Sequence, residues 1–178
     1  HKMCWRKLEE DVMRILVNTL AAAAMLSIAM SSFALEFSLA EAQAAWQRGD
    51  AETARQHWQA LADQGDAAAS NNLGHLYENG IGVERDVGKS FALYQRAAEA
   101  GIATGQFNLG EAYARGLGTQ QDTVEALKWY MLAAAGGDSD ATAAVERLQQ
   151  RLNLDEVGEA TLRALDWRRD HHARKLQP

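Results

Sequence analysis

Apolar positions along this chain fall at helical spacing, and between residues 66 and 137 they do so twice in the same order. Ala69, Leu73, Leu76 and Tyr77 make one apolar stripe with the period of about 3.6 residues expected of a helix packed on one side. A second stripe follows on Phe91, Tyr94, Ala97 and Ala98. Setting 66–101 over 102–137 pairs Ala67 with Ala103, Asn72 with Asn108, Leu73 with Leu109, Gly74 with Gly110 and Tyr77 with Tyr113. The same offset pairs Gly80 with Gly116, Gly82 with Gly118, Asp86 with Asp122, Tyr94 with Tyr130, Ala97 with Ala133, Ala98 with Ala134 and Gly101 with Gly137. These twelve identities at one offset of 36 residues mark a stacked repeat array, whose units bury their apolar faces against one another.

Each unit reads as two antiparallel helices, A and B. Gly74 sits inside the stripe of helix A, where glycine costs about 1 kcal/mol of helix propensity against alanine, so its expected role is to let a neighbouring helix approach closely. Gly80 is placed to end helix A in the left-handed conformation. Gly82 and Val83 turn the chain, with Val83 tucked under the loop, and the Asp86 carboxylate is placed to accept from the free amides that open helix B. Helix B runs to about Ala100, and Gly101 stops it.

The segment "NNLGHLYENGIGVERDVGKSFALYQRAAEAG" resembles a unit of the Sel-one-like repeat family, the longer-looped relatives of tetratricopeptide repeats. "FNLGEAYARGLGTQQDTVEALKWYMLAAAGG" resembles a second unit, departing from the family pattern at Thr119, where valine is usual, and at Glu125, where lysine is usual. The resemblance implies an all-α fold, an α/α solenoid of antiparallel helix pairs, with about eight helices after the N-terminal leader.

The flanks are weaker versions of the same plan. Residues 35–65 read as a shorter-looped, tetratricopeptide-like unit, with Ala42, Ala45 and Trp46 on its helix A and Ala54, Trp58, Leu61 and Ala62 on its helix B. Gly49-Asp50, Gly65-Asp66 and Gly137-Asp138 each put a helix-ending glycine beside an aspartate that can cap the next helix. Residues 138–170 read as a capping helix pair. Asn153 and Glu156 are spaced as a capping box, Leu152 and Val157 as a hydrophobic staple, and Val157, Ala160, Ala164 and Leu165 as the inward face of the last helix. The basic stretch from Trp167, with the tail at 171–178, is expected to fray.

The N-terminus reads differently. From Met13, Arg14 leads into the apolar run Ile15 to Met30, followed by Ser32 and Ala34 at the −3 and −1 positions of a cleavage site. This predicts a signal peptide over 13–34 cut after Ala34, and a periplasmic or secreted product; residues 1–12 read as a leader before the better start. An uncleaved anchor is the alternative, disfavoured by Asn18, Thr19 and the shortness of the run. The lone cysteine, Cys4, lies in the expected leader, so a chain cut after Ala34 would have no disulfide, thiolate metal site, cysteine nucleophile or lipid-anchoring cysteine. A formal charge of −6 argues against nucleic acid, which needs a basic surface.

Few residues suggest chemistry. "GVERDVGKS" resembles a phosphate-binding loop but has five residues between its glycines instead of four and follows no strand. Asp170, His171 and His172 fall short of a convergent metal site, and His57 and His75 have no nucleophile at a recognisable spacing. Trp46, Trp58, Trp129, Tyr94 and Tyr130 read as core at helix interfaces before they read as a ligand cage. No catalytic residue, cofactor or metal is expected.

The resemblance places helix A on the concave face. Carried over position by position, this gives Asn71, His75, Glu78 and Asn79 in one unit, Phe107, Glu111, Ala114 and Arg115 in the next, and Gln43 with Trp46 in the preceding one. Amides, one aromatic and both charge signs suit a protein or peptide groove, although the same residues also suit a solvated helix face. The resulting expectation is an exported non-catalytic scaffold that binds a protein in the assembly or regulation of an envelope complex. The alternatives are an exported effector that binds a host or neighbouring-cell protein, and a β-lactam-binding enzyme. The last is implied by cysteine-rich relatives whose paired cysteines this chain lacks.

Overall fold

The computed structural model describes residues 39–176, and every regular element among them is a helix. The expected leader, signal peptide and cleavage point lie outside the described residues. The helices are α1 (39–47), α2 (Ala51–Asp63), α3 (Ala67–Asn79), α4 (Val87–Glu99), α5 (Ala103–Arg115), α6 (Thr123–Ala135), α7 (Ser139–Gln149) and α8 (Leu154–Lys175). Helices α3 with α4 and α5 with α6 pack as pairs, and α4 on α5 and α6 on α7 join one pair to the next. The expected α/α solenoid with eight helices is what the described residues form.

Local chemistry sets the helix boundaries. Asp50, Asp66, Asp86, Asp122 and Asp138 each accept from the amide three residues on, at 2.6–3.1 Å, which satisfies a donor the helix itself cannot pair. Asn153 and Glu156 form the reciprocal capping box of α8. Gly80 and Gly116 end α3 and α5 in the left-handed conformation, with φ of +68° at both. The loop after each is closed in the same way: Asp86 N donates to Tyr77 O and Asp122 N donates to Tyr113 O.

The core runs between units as well as within them. Trp58 and Leu61 of α2 pack with Leu73 and Leu76 of α3, and each fully buried leucine contributes on the order of 1.5–3 kcal/mol. Gly74 and Gly110 are the contacts that bring A and B helices together. A Cβ on Gly74 would lie 2.9 Å from the Tyr94 ring, and one on Gly110 would lie 2.8 Å from the Tyr130 ring.

The C-terminal end departs from expectation. Helix α8 makes its extended contact with α6 and not with α7. Its buried residues are Ala160 and Ala164, small enough to seat it closely, with half-buried Trp167 one turn further on. Leu165, expected on this inward face, is 54% exposed, because the 3.6-residue period that buries Ala160, Ala164 and Trp167 turns it outward. Nor does the chain fray at Trp167. Its ring packs edge-on against Trp129 at 5.8 Å, His171 stacks on it at 4.4 Å, and the helix continues to Lys175.

Candidate functional site

The A helices α1, α3, α5 and α7 contribute one face of the array, and the structure sorts its expected residues into three groups. At the N-terminal end, Trp46 packs against Trp58 at 5.7 Å and meets His75 edge-on at 6.0 Å. With exposed Gln43 and with Asn72 they line a small pocket of about 100 Å³. The buried Trp58 Nε1 has no acceptor among the described residues.

In the middle of the face the expected residues bond largely to other parts of the array. Asn108 Nδ2 donates to Asn71 Oδ1 at 2.9 Å, linking α5 to α3. Glu78 accepts from Tyr94 Oη at 2.8 Å and from Arg115 Nη1 of the next unit at 3.3 Å. Glu111 accepts from Tyr130 Oη at 2.6 Å, and Phe107 lies against the same ring at 5.6 Å. Asn79 is exposed, and its amide turns back to its own helix, donating to His75 O. Burial first, and then the hydrogen bond to a carboxylate, pushes both the Tyr94 and Tyr130 phenols well above the ordinary tyrosine range. Stability from a raised phenol is complete below about pH 10 and is lost as pH rises past that value.

The third group makes a groove of about 440 Å³ where α5 meets α7. Glu111, Ala114 and Arg115 form one wall, Arg147 and Arg151 the other, and Tyr130 and Leu148 lie between. Arg147 and Arg151 form no ion pair among the described residues. Both were missed by the sequence reading, yet they stand 36 residues after Glu111 and Arg115, so one more step of the repeat offset finds them. Asn108 was also missed as a site residue, although it is one of the twelve identities.

Among the described residues no cluster of three or more His, Cys, Asp or Glu side chains could hold a metal ion, and no helix is long and apolar enough to cross a membrane. The geometry offers donors, carboxylates, guanidinium groups and aromatic edges along an open face. That arrangement can hold a polymer segment by several separate contacts.

No curated protein matches this chain. In fold it is similar to a protective antigen of uropathogenic Escherichia coli strains that displays an SLR fold, with TM-score 0.72 and 25% identity, over 81% of this chain and 33% of that one. It is also similar to a Sel1 repeat protein from Oxalobacter formigenes, with TM-score 0.61 and 31% identity, over 72% of this chain and 55% of that one. The chain thus spans a third to about half the length of these two solved proteins. The Sel1 repeat model matches residues 40–66, 67–102 and 103–138, which is more than half of the sequence. Three matched repeats, stacked as helix pairs with tyrosine packed on glycine in the two full units, place this chain in the Sel1 repeat family.

Proposed function

We propose that this chain is an exported, non-catalytic repeat scaffold that holds a protein or peptide partner on its helix-A face, in the assembly or regulation of an envelope complex. Sel1 repeat proteins are generally protein-interaction scaffolds, and the fold is typically non-catalytic. One observation carries the reading to this face. The packing pair of glycine and tyrosine is identical in the two full units, whereas the repeat-register positions beside it run His75, Glu111, Arg147 and, at or just past the helix end, Asn79, Arg115, Arg151. Identical packing with different exposed chemistry at each step suits an array in which successive units meet successive parts of one extended partner.

The groove between α5 and α7 is where this reading is most exposed to test. Affinity capture from an envelope extract would compare the wild type with Arg147→Glu/Arg151→Glu, whose altered side chains are exposed and whose fold is checked by circular dichroism. A partner kept by the wild type and lost by the variant supports a scaffold acting through this face. Equal capture by both would sink the assignment. The likeness to a protective antigen favours a second reading, an effector that meets a host protein with the same face. Capture by the wild type from host-cell extract, with nothing retained from the envelope extract, would favour it.

A further inference from the structure

The most cationic part of this acidic chain lies away from the helix-A face, on the far half of α8. Helices α2 to α6 have 13 residues each, whereas α8 has 22, so its C-terminal turns run on past the contact with α6. The overhang reaches back to the turn between α4 and α5, where His171 lies so close that a Cβ on Gly101 would come within 3.0 Å of its Nε2. Between the overhang, this turn and the end of α6 lies a cleft of about 580 Å³, inside the range of about 300–1,000 Å³ usual for ligand clefts.

The lining of the cleft divides by chemistry. Leu132, Leu165 and Trp167 supply apolar surface, Arg168 and Lys175 supply positive charge, and His172 adds an imidazole. Arg169 is already neutralised by Asp166 at 2.9 Å and Asp170 at 3.2 Å, while Arg168 and Lys175 form no ion pair among the described residues. Burial first, and then Lys175, Arg174 and His172, hold the His171 imidazole below its ordinary value. All four exposed large hydrophobic residues among those described, Leu154, Leu162, Leu165 and Leu176, also belong to α8 or its C-cap. Of these, Leu165 lines the cleft with the unpaired Arg168 and Lys175, whereas Leu154 opens the helix at its opposite end.

We propose that this cleft docks an extended acidic peptide segment of a partner protein, with carboxylates on Arg168 and Lys175 and an apolar side chain against Leu165 and Trp167. Charge complementarity selects an acidic occupant, since guanidinium and ammonium groups without internal partners are free to pair with carboxylates. A recess whose lining takes in the Gly101 turn and Gly136 at the end of α6 suits an extended segment better than a flat bilayer. The site is separate from the helix-A groove, so the two are tested independently.

The probe is an array of immobilised nonapeptides that combine three or four Asp or Glu with two apolar residues, beside a matched array carrying Asn and Gln in their place. The full chain should bind the acidic array selectively, with a signal that falls as salt is raised. Arg168→Glu/Lys175→Glu should lose at least tenfold, and Arg168→Gln/Lys175→Gln should lose most of the binding without introducing new charge. Arg147→Glu/Arg151→Glu should bind as the wild type does. Equal binding to the amide array, or undiminished binding by both α8 variants with unchanged circular dichroism, would overturn the proposal. So would co-sedimentation with phosphatidylglycerol vesicles in the absence of any peptide binding, which would make the cations a lipid contact.

Discussion

The unit of α3 and α4 and the unit of α5 and α6 bury the same tyrosine against the same glycine but satisfy its hydroxyl from different turns. Tyr94 donates to Glu78, whereas Tyr130 donates to Glu111. In repeat register Glu78 corresponds to Ala114, and Glu111 to His75, so the acceptor has moved by one helical turn. The loops instead keep their bond in register and change only the donor: Arg85 Nε donates to Glu78 O in one unit, and Gln121 Nε2 donates to Ala114 O in the other, both at 2.8 Å. The shared requirement is a backbone path and a buried donor with an acceptor in reach. Which side chain supplies the acceptor is open to exchange, because a carboxylate one turn away covers nearly the same point.

Where backbone meets backbone the two units are less interchangeable than their sequences suggest. Gly82 and Gly118 hold the same place in the loop, with φ of +67° and +71°. A Cβ on Gly82 would sit 3.5 Å from Ala51 Cβ, in ordinary contact, but one on Gly118 would lie 2.2 Å from Val87 O. Gly82→Ala should therefore cost only the left-handed conformation, about 1–2 kcal/mol, and Gly118→Ala that cost plus overpacking against a carbonyl, about 3–4 kcal/mol in all. Urea denaturation of the two variants measures the difference, and equal midpoints would mean the loops seat alike.

A smaller contrast concerns the packing glycines. Gly74→Leu and Gly110→Leu should each cost about 1–3 kcal/mol as overpacking, with Gly110 the worse of the two. Its Cβ would press on Ala126 O at 3.3 Å in addition to a tyrosine ring, while the second obstacle at Gly74 is the Leu93 side chain at 3.4 Å. A backbone oxygen is harder to displace than a side chain. Thermal melts that rank the two variants the other way would show that the α5–α6 pair yields more easily than its geometry implies.

The exchange of acceptors can be tested by moving one. Glu111→Ala leaves the buried Tyr130 hydroxyl without its partner and should cost about 1–3 kcal/mol. Adding Ala114→Glu places a carboxylate where Glu78 stands in the other unit, and it should recover most of that loss. No recovery would mean that the two tyrosines are held by different backbone geometry and that a carboxylate one turn away does not cover the same point.

Most of the array could be read from the sequence because its repeat is written in glycines, caps and apolar spacing, all of which act locally. Gly74, Gly80, Asp86 and the Asn153 box do what their positions imply. The helix-A face was legible only as positions. That Asn71 would bond Asn108, and Glu78 would bond Tyr94, depends on how the units stack, which no single helix determines. Arg147 and Arg151 were hidden because the identities stop at Gly137 while the geometry of the face continues into α7. The path of α8 was least visible of all. Trp167 sits in a basic stretch that looks like a tail, and only the Trp129 ring beneath it makes the helix worth continuing.

The smallest difference between the two units is a missing cap, and it can be restored. Asp66 opens α3 by accepting from Ala69 N at 2.6 Å, whereas Ile102, its counterpart, opens α5 with no side-chain hydrogen bond. The backbone at Ile102, with φ −75° and ψ 117°, nearly matches that of Asp138, with φ −76° and ψ 117°, which does cap α7. An aspartate at 102 therefore needs no rearrangement to reach the amide of Gly105 and to face the positive end of the α5 dipole. Against this, Ile102 is half-buried, and its replacement gives up apolar contact. A cap contributes about 0.5–2 kcal/mol, and losing part of one isoleucine's burial offsets some of it, so Ile102→Asp should stabilise the array by about 0.5 kcal/mol. Because the gain depends on an ionised carboxylate, it should be present at pH 7 and shrink as pH falls through the carboxylate range. A melting midpoint that drops at pH 7 would show that this junction is held by the isoleucine, and that the second unit gave up its cap for packing.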